Sequence, residues 1–403
     1  MKNLLPQLHD FTNWSPTSGQ TPRFTNETGI LGIYGDANRY SFGKWKAAVP
    51  VCVDIIYEAA VEFNAEDAIS VYMLINWLDN EGNYIRREYP DREEDVGNGW
   101  TRLCRKVCAP PGAVDMEIEL TFYGSGSVRW RNPVFYETDS DPSRPVRVAS
   151  AFFVPRYSLE KNLEIMLDLA DLAGQKQADV LLFTESGYDR GIMPISAKGV
   201  SFPGEITDRF SEKAIKYKCN ILVNLTEEEN GFYFNSTALI DRSGQIIGKY
   251  RKTHLPKCEL EIGFSHGDEL PVFDMDFGKV GVLTCFDIEF FEAGRILRNK
   301  GAEIIFVPTI GNYLMNSQMQ AKWQGLYIVV SGAHVPQPSR IINPNGEIIA
   351  DVDGTEDGLA FAEIDLSLGT FSQGTGFWPA VSDARNALFW NRRFDCYQTE
   401  IRK

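Results

Sequence analysis

A chain of 403 residues is too long for one average domain and favours two. Its 43% hydrophobic and 24% charged residues are those of an ordinary globular protein. A net charge of -15 argues against a nucleic-acid backbone or an anionic membrane as the main partner, although a local pocket can oppose the global sign.

Along the chain, Met1 to Asp10 has no long apolar stretch and no small-residue cleavage site, so no signal peptide is expected. The first 140 residues or so are rich in aromatics and alternating runs, such as Ile69 to Ile75 and Met116 to Phe122. Turn signals separate them at Asp79-Asn80-Glu81-Gly82-Asn83, Gly97-Asn98-Gly99 and Gly124-Ser125-Gly126. Period-two alternation with frequent turns predicts an all-β sandwich over residues 1–140. The stretch from Gly99-Trp100-Thr101 through Pro110-Pro111-Gly112 to Gly126-Ser127-Val128-Arg129-Trp130 resembles the last strands of a galactose-binding-like jelly roll. Carbohydrate-binding modules share that shape. Trp14, Trp45, Trp77, Trp100 and Trp130 could serve a sugar, but core packing is the commoner fate of tryptophan.

Asp139 to Pro145, polar and with two prolines, reads as a linker. A second domain, residues 146–403, then alternates strand and helix. Val148 to Phe153 is a buried strand, Ser158 to Gln177 a helix with apolar positions near 3.6 spacing, and Val180 to Phe183 a strand. Ile206 to Tyr217 is a helix and Asn220 to Asn224 a strand. Two hairpins share a design, turning through Asp241-Arg242-Ser243-Gly244 and through Asn343-Pro344-Asn345-Gly346.

Three segments of this half carry reactive side chains at or just past apolar, β-like runs. They are Leu181-Leu182-Phe183-Thr184-Glu185, Tyr250-Arg251-Lys252-Thr253-His254-Leu255 and Val282-Leu283-Thr284-Cys285-Phe286-Asp287. An acid, a cation and a thiol are the minimum set for attacking an amide-type carbon with sulfur. Asp287 to Lys300 reads as a helix, so Cys285 is expected at a helix entry, where the positive dipole end lowers a thiol pKa. Each residue has a plainer reading: a buried structural cysteine, a solvated loop acid, a surface lysine. Their joint occurrence weighs against all three.

The three segments resemble the nitrilase superfamily of carbon–nitrogen hydrolases, whose catalytic set is Glu, Lys and Cys in this order. The resemblance runs from about Val146 to about Leu366. It implies an α/β fold, a four-layer αββα sandwich, behind the β-sandwich. It implies Glu185 as general base, Lys252 and the Phe286 backbone N–H as oxyanion stabilisers, and Cys285 as nucleophile. The family often uses a second glutamate near the lysine, and Glu259 or Glu261 could be it. The loop Thr309 to Tyr313 should face the site, as should Tyr188 and Asp189. Tyr188, Phe286, Thr309 and Asn312 are the expected substrate contacts. Cys285-Phe286-Asp287 resembles the Cys-x-Asp of amidase-like and carbamoylase-like branches rather than the Cys-Trp-Glu of nitrilases. That favours an amide or N-carbamoyl substrate, with a nitrile as the alternative.

Departures from the family pattern are Thr184 and Phe291, where proline is common, and Gln320 and Trp323, where arginine and glutamate are usual. A non-catalytic carbohydrate-binding or scaffold protein is the rival reading, and three intact reactive residues speak against it. For the β-domain, a structural role ranks above sugar binding. No metal or organic cofactor is expected, because thiol, carboxylate and ammonium supply the chemistry. Cys104 and Cys108, the closest cysteine pair, read as two strand residues. Seven cysteines without a regular framework fit a reducing cytoplasm. No apolar run approaches the roughly 18 residues of a membrane span, which excludes the membrane-embedded acyltransferases sharing this domain. A homodimer or higher homo-oligomer is expected, with the aromatic tail from Phe377 packed across a partner subunit.

Overall fold

A computed structural model describes residues 2–333, 338–367, 380–381 and 383–397. The chain forms two compact units, residues 1–142 with 368–403, and residues 143–367. The division differs at one end from the expected 146–403. The last segment groups with the first unit.

The first unit is built on a ten-stranded sheet. Its spine is two 23-residue strands, Ile56–Leu78 and Asp115–Glu137, paired antiparallel. Gly124-Ser125-Gly126, expected as a turn, lies inside the second of these strands. A Cβ on Gly126 would sit 1.9 Å from the Glu66 carbonyl oxygen, so glycine here permits close backbone approach, not a chain reversal. The ladder shifts register nearby, between Glu66 and Ala68 and between Ala68 and Ser70, which lets so long a pair bend. Trp45, Trp77 and Trp130 are buried in the core with Phe122 and Phe135. Trp14 stays 43% exposed, with the Lys44 ammonium 4.8 Å from its ring. Cys104 and Cys108 both lie in the strand Trp100–Cys108.

Part of the tail packs on this same unit. Val381 and Ala387 are buried with Leu74 and Tyr89, and the Trp390 indole donates to the Pro90 carbonyl at 3.0 Å. No local pattern in the sequence could signal so distant a contact. Phe377 and Trp378 lie outside the described residues.

In the second unit the strands are β1 Pro145–Phe152, β2 Val180–Leu182, β3 Asn220–Glu229, β4 Phe232–Ile240 and β5 Ile246–Arg251. They continue as β6 Val272–Met275, β7 Gly278–Val282, β8 Ile304–Pro308 and β9 Tyr327–Ser331, then β10 Arg340–Ile342, β11 Ile348–Asp351 and β12 Gly358–Asp365. The helices are α1 Leu159–Gln175, α2 Glu205–Tyr217, α3 Lys257–Ile262, α4 Phe291–Asn299 and α5 Leu314–Gln324. One sheet runs β5-β4-β3-β2-β1-β12, with the two-residue strand Phe264–Ser265 pairing β4 off that path, and the other runs β6-β7-β8-β9-β10-β11. β1, β2 and β3 are mutually parallel, as are β7, β8 and β9.

Near-continuous apolar strands of this kind need cover on both faces. Val148, Leu182, Leu222 and Leu239 of one sheet share a core with Val280, Phe306, Val329 and Ile341 of the other. On the outer face of the first sheet, Met166, Ala170 and Ala173 of α1 and Phe210 and Ala214 of α2 pack on Leu181, Ile221 and Val223. On the outer face of the second, Ala293 and Leu297 of α4 and Ala321 of α5 pack on Ile305 and Ile328. The order of layers is helix, sheet, sheet, helix.

Ser158 caps α1, its side chain accepting from the Lys161 N–H at 3.4 Å. α1 and α2 come so close that a Cβ on Gly174 would meet the Tyr217 ring at 2.1 Å. Both hairpin turns form as the Asp/Asn-to-Gly pattern predicts. Asp241 accepts from the N–H groups of Ser243 and Gln245, and Asn343 from those of Asn345 and Glu347. One expected helix is broken: Asp287 to Lys300 is a 3₁₀ turn, Cys285–Glu289, followed by α4.

Candidate active site

Strands of the two sheets, parallel β2 and β7 and antiparallel β5, end near a common cluster of charge. Glu185 follows β2, Lys252 follows β5, and Cys285 lies three residues beyond β7. The β2 interior is wholly apolar, so Glu185 falls past its end, whereas β5 already carries Lys249 and Arg251 before Lys252. Both Ser186, just after the acid, and Cys285 itself have left-handed backbone, φ 50° and 51°. Side chains with a Cβ rarely adopt that region, so both turns hold local strain. The turns reverse the chain sharply and expose the cluster's polar atoms to one another.

The cluster is buried: Lys252 is 0%, Glu185 1% and Cys285 7% exposed. Lys252 Nζ donates to Glu185 Oε1 at 2.9 Å and to Glu259 Oε1 at 2.6 Å. Glu185 also accepts from Asn235 Nδ2 at 2.9 Å and from the Ile310 N–H at 3.1 Å. Asn235 is fixed in turn by Asn224, whose amide donates to it at 2.8 Å. The Cys285 thiol lies beside Glu185 and Thr309, and Tyr313 approaches it from the loop after β8. Thr309 is further tied by its carbonyl, which accepts from Thr184 Oγ1 at 3.0 Å.

Burial works against the Lys252 ammonium, but Glu185, the Cys285 sulfur and Glu259 together raise its pKa and keep it charged. Glu259 is raised first by burial and then by the nearby Glu185 charge. Its second oxygen is buried and has no hydrogen-bond partner.

The thiol departs from expectation. Burial, with the Glu185 carboxylate beside it, pushes Cys285 up to about 12, against the lowering influence of Lys252. A single 3₁₀ turn supplies too little dipole to reverse this. Burial and the neighbouring carboxylate thus favour the thiol over the thiolate.

Glu259 and Glu261 are separated by α3. Glu259 faces Lys252, whereas Glu261 is exposed and pairs with Lys257 at 3.2 Å. Thr309 touches the thiol, and Asn312 lines an adjoining pocket with it. Phe286 packs edge-on against Phe290, with ring centroids 5.3 Å apart. Its backbone N–H lies in the first turn after Thr284, where helical pairing leaves donors free. Tyr188 is placed elsewhere. It is buried in the core under α1, and its carbonyl accepts from Asn162 at 2.9 Å. Asp189 also turns inward, accepting from the Thr226 N–H at 2.8 Å.

Asn224 and Asn235 are positioning groups that sequence reading missed, whereas the Ile310 N–H belongs to the loop expected to face the site. The available signal was polar residues inside the apolar β3–β4 hairpin, which a buried strand does not otherwise need.

Asp287 joins two segments of the site. Buried, it accepts from Tyr250 Oη at 2.7 Å, the His254 N–H at 2.9 Å, Thr253 Oγ1 at 3.1 Å and the Thr284 N–H at 2.8 Å. His254 Nδ1 is also 2.8 Å away. The lysine segment is thereby clamped to the cysteine turn. Asp287→Ala strands several buried donors and is expected to lose about 3 kcal/mol of stability in urea unfolding. An unchanged midpoint would mean that the clamp carries no weight.

The family model described as carbon-nitrogen hydrolase matches residues 147–371. N-carbamoylputrescine amidase of Solanum lycopersicum is 28% identical over 265 residues, covering 56% of this chain and 88% of that protein. Omega-amidase NIT2-A of Xenopus laevis is 30% identical over 234 residues, covering 51% and 83%. A probable nitrilase, C965.09 of Schizosaccharomyces pombe, is 30% identical over 213 residues, covering 47% and 76%. Among solved structures, a carbon-nitrogen hydrolase of Helicobacter pylori G27 superposes with TM-score 0.51 at 22% identity, over 55% of this chain and 90% of that one. Saccharomyces cerevisiae Nit3, described as a member of the nitrilase superfamily, gives TM-score 0.51 at 20% identity, over 57% and 93%. These two likenesses bear on the fold, and the family match spans more than half the chain, β1 through β12 included. The chain belongs to the carbon-nitrogen hydrolase family and is a carbon–nitrogen hydrolase.

Proposed function

We propose that the protein hydrolyses an amide or N-carbamoyl bond through a thioester on Cys285. The observation that carries this reading is one buried cluster. In it, Glu185 lies beside the Cys285 thiol and is 2.9 Å from the Lys252 ammonium.

Each role follows from charge. Glu185 takes the thiol proton as sulfur attacks the carbonyl carbon, so no free thiolate accumulates. The carbonyl oxygen becomes an oxyanion held by Lys252 and the Phe286 N–H. The carbon–nitrogen bond breaks, the nitrogen takes the proton from Glu185, and ammonia or an amine leaves. Glu185 then deprotonates water, which attacks the thioester carbon. Sulfur leaves and recovers its proton, and the acid is released. The free oxygen of Glu259 is suited to accept from the substrate's N–H. No step calls for a metal or organic cofactor.

Relatives named N-carbamoylputrescine amidase and omega-amidase support amide-type over nitrile chemistry, as does Cys285-Phe286-Asp287. The relative named a probable nitrilase keeps nitriles in the test. The test is ammonia release from primary amides, N-carbamoyl amino acids and short nitriles, with Cys285→Ala alongside. Release from amides or carbamoyl compounds, lost in the variant, is expected. Release from nitriles alone would move the reading to nitrile hydrolysis. Release that persists in Cys285→Ala would end it.

We further propose that residues 1–142 form a galactose-binding-like sandwich with a structural rather than sugar-binding role. The burial of Trp45, Trp77 and Trp130 supports this, since they cannot stack on a sugar. A homo-oligomer paired through α4 and α5 is supported by exposed Phe291, Met315, Met319 and Trp323 on those helices. A cytoplasmic location is supported by seven free cysteines. No helix among the described residues is long and apolar enough to cross a membrane.

A further inference from the structure

The β3–β4 hairpin turns one face toward the second sheet, and that face changes character toward the turn. Leu222 and Leu239, opposite each other, lie in the core between the sheets. Two residues nearer the turn the pair is Asn224 and Thr237, and two nearer again it is Thr226 and Asn235. Period-two alternation keeps all six on one face. Asn224, Thr237 and Asn235 are buried. Buried amides need partners, and these find them on the diagonal. Asn224 Nδ2 donates to Asn235 Oδ1 at 2.8 Å and to Thr237 Oγ1 at 3.1 Å. Asn235 Nδ2 donates to Glu185 Oε1 at 2.9 Å, and the Ser186 N–H donates to Asn224 Oδ1 at 2.9 Å.

An ionised carboxylate only accepts hydrogen bonds. Asn235 must therefore turn its NH2 to Glu185 and its oxygen to Asn224, which turns its own oxygen to the Ser186 N–H. The relay starts at the acid and closes on the left-handed residue beside it. The Asn235 carbonyl also accepts from the Lys252 N–H at 2.9 Å, so one residue holds the acid by its side chain and the lysine by its main chain. Each carboxylate oxygen has two acceptor positions. Oε1 of Glu185 fills both, with Lys252 Nζ and Asn235 Nδ2. Oε2 takes the Ile310 N–H at 3.1 Å. Among the described residues, the position left over is on Oε2, and the Cys285 thiol lies beside this carboxylate.

We propose that Asn235, oriented by Asn224, selects Oε2 of Glu185 as the atom that takes the Cys285 proton. This rests on the thioester reading above. As sulfur bonds to the carbonyl carbon, the S–H proton passes to Oε2, and when the carbon–nitrogen bond breaks it passes from Oε2 to the leaving nitrogen. Asn235 keeps both of its amide protons throughout. Without its N–H, Oε1 gains an open position on the lysine side, and the carboxyl group is free to turn and take the proton there. Asn235 and Asn224 touch neither sulfur nor substrate, so both are positioning residues.

The test measures kcat and KM from neutral to acid pH for Asn235→Leu, Asn235→Asp and Asn224→Asp, each first shown to melt cooperatively. The probe is whichever primary amide or N-carbamoyl amino acid of the panel above wild type turns over fastest. Asn235→Leu is expected to lower kcat by about 100-fold with KM little changed, at every pH. Asn235→Asp should lose as much at neutral pH, where the new carboxylate faces Glu185, with Lys252, Glu259 and Cys285 around them. Relative to wild type it should recover as pH falls, because a shared proton lets the new carboxyl group donate as the amide did. Asn224→Asp can no longer donate to Asn235, so it should lower kcat without touching Glu185 and recover in the same direction. If Asn235→Leu does not fold, the two aspartate variants carry the test. Wild-type kcat in Asn235→Leu, or aspartate variants whose ratio to wild type is flat with pH, would overturn the relay. No acyl adduct on Cys285 in wild type would overturn the thioester reading itself.

Discussion

Glu185→Gln is expected to lower kcat by about 10³-fold or more while making the Cys285 thiol more acidic, not less. The two effects have one cause. The carboxylate is the base for the thiol proton, and its negative charge is also what disfavours the thiolate at rest. Glutamine keeps the shape and can still accept from Lys252 and Asn235, so the cluster should persist. Removing a neighbouring negative charge lowers a thiol pKa, so the alkylation profile should move to lower pH than in wild type. Between the two midpoints the variant should react faster with iodoacetamide than wild type does, although it turns over almost no substrate. A role limited to holding the fold would not separate reactivity from turnover in this direction. An unmoved alkylation profile would contradict the proposed charge coupling.

Lys252→Met should be the more damaging change. The lysine is fully buried between two carboxylates, and methionine fills its volume without its charge. Breaking a buried ion pair from one side costs about 3–5 kcal/mol, because the remaining charge is left unpaired. Here two carboxylates are left, so protonation of Glu259, already raised, becomes the cheapest relief. The sign follows for pH. Stability of the variant should recover as pH falls and Glu259 takes up a proton. Wild type should not gain in this way, because its lysine stays charged. Loss of the oxyanion partner should cost at least about 10²–10³ in kcat as well. Urea unfolding of both proteins across the acid range checks the first part. A variant as stable as wild type at neutral pH would show that the lysine is not the cluster's counter-charge.

Glu185 and Cys285 were legible because each closely follows an apolar run, where a polar side chain needs a reason, and Lys252 because it follows the second arm of a hairpin. The hairpins were legible for a similar reason: Asp or Asn and Gly occupy turn positions that few other residues tolerate. Glu259 against Glu261 was not. Two residues apart on a helix they face nearly opposite ways, and only the helix's rotation over Lys252 decides between them. Asn235 reaches Glu185 through strand pairing, in register with Thr226, and register is not written locally. The thiol's acidity was misread because its sign comes from burial and a carboxylate brought in from 100 residues away, not from the turn it begins. Tyr188 follows the acid closely in sequence, yet the left-handed step at Ser186 sends it under α1. Gly126 shows the same limit in the first unit, where close packing and a turn ask for the same residue.

The most direct measurement is acid quenching during turnover of a slow amide, followed by peptide mapping by mass spectrometry. An acyl group is expected on the tryptic peptide that runs from Val280 to Arg295 and carries Cys285. It should be absent from Cys285→Ala, and it should accumulate when water attack is slowed relative to acylation. Turnover without any acyl group on that peptide, or continued turnover in Cys285→Ala, would contradict the thioester mechanism.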